Sequence, residues 1–260
     1  LNAEESEPLN HAYGTNGIIT SLLISTDVKQ DWYSIVIDCE DFQNAINIIK
    51  LCTSSAIELK LGAILEDEIV DKMPSWFKRN KSCHKLLIQS NLGGFKTIEM
   101  ICKKNKLNVE NLGREEELDH GLSDLVWNHT TLQMRAKDKN WTYLQMLLPL
   151  NEEFKLIKSL RDKYGKELLW HLEAVSQQGI PRLAALPLLK WKDEKQLNQI
   201  IEDCSSLGAI IFNPHVVTVE GGGLGVTDSD QVKAKQIYDP KGLLNPGKLE
   251  GWAEKENFID

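Results

Sequence analysis

The feature that most restricts how this chain can fold is an order of hydrophobic patterns that occurs twice. Residues 33–113 predict a strand, a helix, two strands, a helix and a strand, and residues 141–213 predict the same order. The order βαββαβ is typical of a ferredoxin-like unit. We therefore predict an α+β fold built from two tandem ferredoxin-like βαββαβ units, each an antiparallel sheet with both helices on one face.

The individual elements follow from the two hydrophobic periods. In the first unit, strands are predicted at 33–40, 57–65, 84–91 and 107–113, and helices at 42–52 and 93–105. In the second unit, strands are predicted at 141–149, 168–175, 182–191 and 209–213. Asn151 and Asp193 are the expected N-caps of its two helices, and Gly165 and Gly208 their stops. Each unit leaves edge strands that must be paired or covered, so a single fused sheet is the alternative arrangement.

The repeat also suggests a domain organisation. Residues 31–113 and 141–220 are the two halves of one domain, and residues 114–140, which begin with the acidic run REEELDHG, are expected to be a linker. Residues 1–30 run from a polar start, without Met, into a turn and a strand pattern, so we expect an upstream domain to precede them. Residues 221–260 are expected to return to that domain.

Composition argues against several classes of protein. The net charge is −8 and the basic residues are spread along the chain, which argues against a nucleic-acid partner. No apolar run approaches the length of a membrane helix, and the first residues do not resemble a signal peptide. The five cysteines are scattered, with no C-x-x-C pair, and are predicted to be reduced core residues of a cytoplasmic protein.

Two short motifs near the ends of the chain carry the most specific information. Residues 13–20, YGTNGIIT, form a glycine turn before a strand pattern, where backbone amides can approach a ligand closely; a plain tight turn is the alternative. Residues 238–252, YDPKGLLNPGKLEGW, contain the turn signals Asp-Pro, Lys-Gly and Asn-Pro-Gly in quick succession. The second motif predicts a segment that folds back tightly; a rigid turn that only packs is its alternative.

Together the motifs resemble the C-terminal portion of FAD-linked oxidases of the vanillyl-alcohol oxidase and p-cresol methylhydroxylase type. The resemblance is greatest to the branch that holds D-lactate dehydrogenases and the glycolate oxidase D-subunit. The family's Gly-Thr-x-Gly-Ile-Ile-Thr stretch is matched by residues 14–20, and its Asp-Pro-x-Gly-x-x-Asn-Pro-Gly-Lys by residues 239–248. Between the two motifs only the architecture is shared.

The resemblance implies the substrate-binding part of an FAD-dependent oxidoreductase that dehydrogenates a small alcohol or 2-hydroxy acid. Residues 1–30 would then be the end of an FAD-binding domain, most of which would lie upstream, and residues 221–260 would return to the flavin. The expected cofactor contacts on this chain come from both motifs: Gly14, Thr15, Gly17, Ile18, Asn245 and Lys248. The side-chain amide of Asn245 is expected near the isoalloxazine, and Lys248 near the negative charge of the reduced flavin.

The sequence departs from that branch at its histidine motifs. The branch carries a Glu-His-Gly segment and a His-x-Gly-Asp-Gly-Asn-x-His segment, which resemble metal-ligand clusters. Here Glu220 is followed by Gly221, and no two histidines in the chain are separated by only one or two residues. We therefore predict no metal site.

A candidate catalytic pair lies in the strand predicted at 168–175. His171 and Glu173 share one face of this strand, while Trp170 and Leu172 share the other. A histidine beside a carboxylate can abstract a hydroxyl proton as a hydride leaves the substrate. An exposed or capped polar face is the alternative.

Other candidates are placed elsewhere in the chain. Arg182 is the preferred anchor for an anionic substrate. His129, with Trp127 on the same side if the segment is extended, is suited to a flat ligand, and an ordinary packing loop is the alternative. His215 and Glu220 lie close to the glycine run that precedes the C-terminal motif.

A rival hypothesis assigns no chemistry to the chain. Two ferredoxin-like units can pair edge strands into a homodimer, or bind a small ligand between them, without catalysis. The absent histidine motifs favour this binding or oligomerisation module to some degree.

Overall fold

The computed structural model describes residues 1–77, 83–222 and 228–252. The chain divides into two compact units. We call Lys29–Ile211 the sheet unit, and Leu1–Val28 together with the described residues from Phe212 onwards the terminal unit. The predicted return segment 221–260 therefore lies only partly within the described residues.

The regular elements follow in chain order. The strands are β1 (Tyr33–Cys39), β2 (Leu59–Leu65), β3 (His84–Ser90), β4 (Asn108–Arg114), β5 (Trp141–Tyr143), β6 (Gln145–Leu147), β7 (Leu168–Leu169), β8 (His171–Gln177), β9 (Ile180–Ala185), β10 (Leu188–Lys190) and β11 (Ile210–Phe212). The helices are α1 (Ala3–Ser6), α2 (Phe42–Thr53), α3 (Asp67–Val70), α4 (Leu92–Lys104), α5 (Asn128–Lys137), α6 (Glu153–Tyr164), α7 (Glu194–Ser206), α8 (Val219–Gly222) and α9 (Ser229–Tyr238).

The main sheet joins both predicted ferredoxin-like units. Its eight strands lie in the order β11-β6-β9-β8-β2-β3-β1-β4. In each half the first strand therefore lies between the fourth and the third, and the second strand of each half meets its counterpart at the centre. That central pair is antiparallel, with Ala63 opposite Glu173 and Leu65 opposite His171. The α+β class with antiparallel strands is confirmed, and the arrangement is the fused sheet, since the two inner edges satisfy each other's hydrogen bonds.

The long strands predicted in the second half are each broken in two. The breaks fall at Leu144, at Trp170 and at Leu186–Pro187, and the outer pieces form a separate three-stranded sheet in the order β5-β10-β7. Pro187 has no N–H to donate to a ladder, and the Trp170 N–H donates to Glu66 Oε2 at 2.6 Å instead of to a strand. The prediction of continuous strands was wrong here because the strands that pair with the two pieces of each broken strand are distant in sequence.

Side-chain caps set most helix starts. Asp41 Oδ1 accepts from Gln43 N at 2.6 Å at the start of α2. Asp193 Oδ1 accepts from Gln196 N at 2.7 Å, so the N-cap predicted there is confirmed. Asn151 does not cap α6. It has a φ of 64°, and its side chain accepts from Lys50 Nζ at 3.2 Å, so α6 begins after Glu152 without a side-chain cap.

The two faces of the main sheet are covered differently. Helices α2, α4, α6 and α7 contribute buried side chains to one core, together with residues such as Ile37, Ile88 and the fully buried Trp170. The second face carries Val36, Ala63, Leu65 and other apolar residues that form a separate core. Both helices of each unit thus pack on one face, as predicted.

Residues 114–140 are not an irregular linker. They hold the 3-10 turns Glu115–Glu117 and Leu122–Leu125 and the helix α5. Leu122, Leu125, Val126 and Met134 are buried in the core of the second face. The acidic run at the start of the segment led to the linker prediction, whereas the apolar residues that cover the sheet come after this run.

The strand predicted after Gly17 is also absent. Residues 17–28 have no regular structure, and Ile18, Leu22, Leu23 and Ile24 are between 70% and 104% exposed. A β pattern becomes a strand only when a neighbouring strand accepts its backbone hydrogen bonds, and no described strand pairs with this segment.

Two simpler predictions concern the cysteines and the membrane. All five cysteines are buried and free, as predicted, and burial raises the pKa of Cys39 to about 12. Within the described parts of the chain, no helix has the length and apolarity needed to cross a bilayer.

Gly62 at the centre of β2 gives a packing prediction. A Cβ there would lie 2.7 Å from Ile49 Cδ1 and 3.3 Å from Ala174 Cβ, inside the helix-covered core. We expect Gly62→Val to reduce the free energy of unfolding by about 1–3 kcal/mol, measured by urea denaturation. Gly17→Val is the matched control, because a Cβ at Gly17 meets no atom within 4 Å. Equal stability of the two variants would contradict this account.

Candidate functional site

The first motif forms a tight turn in the terminal unit. Gly14 has a φ of 70°, which a side chain would strain. The Thr15 hydroxyl donates to Ala12 O at 2.6 Å, and the Thr15 N–H donates to the same oxygen at 2.9 Å. Thr15 is 1% exposed, so its side chain stabilises the turn from inside. Any ligand contact at this residue would be made by its backbone.

A buried lysine ties this turn to the second motif. Lys235 Nζ donates to Thr15 O at 2.8 Å, to Leu244 O at 2.8 Å and to Asp239 Oδ2 at 2.5 Å, and the residue is 2% exposed. All three N–H groups of the ammonium are thus satisfied. Asp239 also accepts from Leu243 N at 3.0 Å and Leu244 N at 2.7 Å. The hydrogen bond from Lys235 holds the pKa of Asp239 below its usual value.

Further hydrogen bonds join the same two stretches. The Asn245 side-chain amide donates to Tyr13 O, and Asn245 has a φ of 42°. Asn16 Nδ2 donates to Gln231 O at 3.0 Å, and Gln231 Nε2 donates to Asn10 O at 3.0 Å. The motifs at the two ends of the sequence therefore lie side by side.

The remaining cofactor candidates lie on the same turn and its surroundings. Gly17 has neither a positive φ nor an atom within 4 Å of a Cβ position, so neither conformation nor packing within the described chain requires a glycine there. Ile18 beside it is 79% exposed, whereas Lys248 is half-buried. A bare backbone beside an open apolar surface fits the close approach of a flat ligand such as a flavin.

Glu220 and His215 also lie in the terminal unit. Both Glu220 carboxylate oxygens accept backbone N–H groups, from Glu250 and Gly251 at 3.0 Å each, and the side chain is buried. Glu220 therefore holds the final helical turn in place. His215 is exposed, and its N–H donates to Asn213 Oδ1 at 2.9 Å.

The sheet unit holds the predicted histidine–carboxylate pair. His171 and Glu173 share the second face of the sheet, and His171 Nε2 lies 3.2 Å from Glu173 Oε1. Despite this short distance, neither ring nitrogen of His171 makes a hydrogen bond with a described residue. His171 is 0% exposed and Glu173 9% exposed, so both members of the pair are buried.

Trp127 and His129 are not part of an extended segment. Trp127 precedes the first residue of α5 with φ 53° and ψ −139°. Its backbone N–H, not the indole N–H, donates to Glu173 Oε1. The Trp127 side chain is 51% exposed, so it forms no wall of a closed pocket. His129 Nδ1 lies 2.9 Å from Ser123 O, a contact within the same segment.

Arg182 lies apart from the histidine–carboxylate pair. Its Nη1 donates to Gln177 Oε1 at 3.0 Å and its Nη2 to Leu148 O at 2.8 Å. It lines a cavity of about 300 Å³ that also contains Lys50 and Glu153, which form an ion pair at 2.9 Å. The structure therefore brings His171 and Glu173 together but does not add Arg182 to them.

One group of carboxylates in the described residues has metal-like spacing. Ligand oxygens of Glu66, Asp67 and Glu68 lie within 4.8 Å of one another. Arg161 pairs with Glu66, and Lys166 Nζ lies 3.2 Å from Glu68 Oε1, so protein cations already pair with two of the three carboxylates. Burial raises the pKa of Glu66 to about 7 despite the Arg161 charge. The donor set fits an ion-pair cluster better than a metal site.

Sequence reasoning missed two contributors to these sites. Lys235 was detectable only through its i,i+4 spacing to Asp239, which on a helix places the two side chains together. The Trp127 N–H, which holds Glu173, carries no sequence signal because any residue could supply a backbone donor.

Comparison with known proteins establishes the fold. Neither a sequence family nor a curated protein matches the chain. The fold is similar to that of part of the FAD-linked oxidases. Two structures of alkyldihydroxyacetonephosphate synthase match with TM-scores of 0.51 and 0.54 at 13% identity, covering 84% and 83% of this chain and 44% and 43% of the synthase chains. A 4-ethylphenol oxidase from Gulosibacter chungangensis, in complex with isoeugenol, matches with a TM-score of 0.51 at 12% identity over 84% of this chain and 53% of the oxidase. The chain thus spans about half the length of the structures it matches.

Proposed function

We propose that this chain is the substrate-binding part of an FAD-dependent oxidoreductase that dehydrogenates the CH–OH group of a small alcohol or 2-hydroxy acid. The observation that carries the proposal is the meeting of the two end motifs, with Asn245 donating to Tyr13 O and Lys235 to Thr15 O. The similarity of fold to FAD-linked oxidases supports it independently.

FAD is the proposed cofactor, and the terminal unit supplies its contacts. The backbone at Gly14, Thr15 and Gly17 would lie along the ring system, with Ile18 against it and Asn245 and Lys248 at its polar edge. When bound, the flavin supplies the two-electron oxidation. The Asn245 amide can exchange its bond to Tyr13 O for one to a ligand without a change of charge.

The sheet unit is proposed to handle the substrate proton. His171 would accept the hydroxyl proton at a ring nitrogen, and Glu173 beside it would stabilise the imidazolium. The dry surroundings of the pair strengthen this electrostatic support. The proposal assigns no proton transfer to His129, His215, Glu220 or Arg182; Arg182 remains the proposed anchor of an anionic substrate group.

An upstream FAD-binding domain is the proposed partner of the exposed segment 17–28. In this segment Ile18, Leu22 and Leu23 are each at least 72% exposed, which is unusual for several neighbouring apolar residues. Packing against a domain that contains the rest of the flavin site would bury them.

Gly17→Val tests the cofactor assignment. In the full-length gene product, we expect the variant to lose flavin absorbance on gel filtration. Urea unfolding of the flavin-free 260-residue chain should stay unchanged, because a Cβ at Gly17 contacts nothing within the described chain. The 260-residue chain alone is expected to retain little or no FAD. Full flavin retention by the Gly17→Val protein would remove the proposed cofactor contact.

The same full-length protein also tests the rival hypothesis, in which the chain is a non-catalytic module. A non-catalytic ferredoxin-like module would bind no flavin in the full-length product and would not bleach any flavin on addition of small alcohols or 2-hydroxy acids. Its dimerisation would have to use the outer strands β4 and β11, because the inner edges β2 and β8 pair with each other.

A further inference from the structure

The segment over the histidine–carboxylate pair has features that packing alone does not explain. We define the cover segment as residues 115–137. Its buried residues Leu122, Leu125, Val126 and Met134 lie in the core of the second face of the sheet. Beneath it, the second face carries polar side chains as well as apolar ones.

Several of those polar groups have no hydrogen-bond partner among the described residues, although His171 Nε2 lies at ion-pair distance from Glu173. Both ring nitrogens of His171 and both amide atoms of Gln89 make no hydrogen bond with any described residue, although these side chains are at most 1% exposed. Thr131 Oγ1, on α5 of the cover segment, also makes no hydrogen bond with a described residue. Buried polar groups without partners are costly and uncommon, and they mark a surface that is complete only with another occupant or in another conformation.

The cover segment is attached to the sheet by one contact to the functional pair and one contact to β1. The Trp127 N–H donates to Glu173 Oε1, and the Ser34 hydroxyl donates to Glu115. At its far end the segment is fastened by Arg135, whose Nη1 donates to Trp141 O at 2.7 Å. The first of these contacts occupies one oxygen of the carboxylate that flanks His171.

Trp127 makes its contact from a strained backbone. Its φ of 53° and ψ of −139° lie near a region that glycine alone populates readily. The indole is half exposed, so side-chain packing does not account for the conformation. In this conformation the backbone N–H of Trp127 donates to Glu173 Oε1.

We propose that the cover segment is a lid over the His171–Glu173 pair, latched by the Trp127 N–H on the Glu173 carboxylate, and that substrate reaches the pair when the latch opens. This inference rests on the proposed role of the pair. In the latched state His171 is 0% exposed and beyond the reach of a ligand. Opening releases Glu173 Oε1 from the Trp127 backbone N–H and exposes both ring nitrogens of His171.

The test measures access to His171 in the 260-residue chain without flavin or substrate. Diethyl pyrocarbonate acylates accessible histidines, and peptide mass spectrometry gives the rate at His171, with the exposed His11 as the internal reference. Trp127→Gly removes the backbone strain and favours the latched state, whereas the matched variant Trp127→Ala keeps an L-residue at the strained position. We expect His171 to react about 10-fold more slowly in Trp127→Gly than in Trp127→Ala.

A second variant weakens the latch without touching the cover segment. Glu173→Gln replaces a charged acceptor by a neutral one, so His171 should react several-fold faster than in the unmodified chain. Equal rates in the two Trp127 variants, an unchanged rate in Glu173→Gln, or a His171 that reacts as fast as His11 in the unmodified chain would each overturn the lid. Failure of flavin retention would instead remove the proposed function and leave these rates as they are.

Discussion

Lys235→Met is expected to destabilise the terminal unit by about 3–5 kcal/mol, because it removes a buried ammonium and leaves its partners unpaired. Asp239 loses the cation that balances its charge, and Thr15 O and Leu244 O lose their donor. Hydrogen exchange should then accelerate at residues 12–16 and 242–244 before it does in the main sheet. Urea unfolding of the same samples gives the free-energy change.

Lys233→Met is the matched control on the same helix. Lys233 pairs with Asp230, and both side chains are 65% exposed, so its loss should leave the free energy of unfolding nearly unchanged. If the two methionine variants were equally stable, Lys235 would not be the tie between the two motifs.

The pH dependence of stability provides a second test of the contact between Lys235 and Asp239. The pKa of Asp239 is held low by Lys235, so the stabilisation that its carboxylate provides is present above the ordinary pKa of an aspartate. It is lost as the pH falls through the lowered value in the folded state. In Lys235→Met this acid loss should move to higher pH.

His171→Gln is expected to reduce turnover by about 10²- to 10⁴-fold in the flavin-containing full-length protein, since it removes the proposed proton acceptor. The rate of anaerobic flavin bleaching by a panel of small alcohols and 2-hydroxy acids is the measurement. His215→Gln is the control, because His215 is exposed and the proposal assigns no proton transfer to it. Its bleaching rate should match that of the unmodified protein.

The double variant with Glu173→Gln distinguishes a chemical role from a structural one. Two residues that act as one acid–base unit give losses that do not add, so the double variant should be little slower than His171→Gln alone. A bleaching rate that survives in His171→Gln, with flavin retained, would assign the proton transfer to another residue.

The elements of the first half were predictable because each has one buried face. The predictions at 33–40, 42–52 and 84–91 correspond to β1, α2 and β3. Alternation at a period of two, or recurrence every three to four residues, records burial on one side, and this information is local. The same reasoning placed His171 and Glu173 on one face.

Three features of the candidate sites had no local signature. Where the second-half strands break depends on which sheet supplies their partner, and this is set by contacts such as Trp170 N to Glu66. The meeting of residues 13–16 with Lys235 and Asn245 spans more than 200 residues. The contact between the Trp127 N–H and Glu173 depends on a backbone conformation that tryptophan does not favour.

The sequence by itself determined the two βαββαβ patterns, the faces of their strands and helices, and the turn motifs at both ends, because periodicity and turn chemistry are properties of neighbouring residues. Only the tertiary structure decided that the halves fuse through β2 and β8, that the end motifs share a buried lysine, and that residues 115–137 close over the second face. Strand pairing and the satisfaction of buried charges are settled between residues far apart in the chain, where local pattern carries no information.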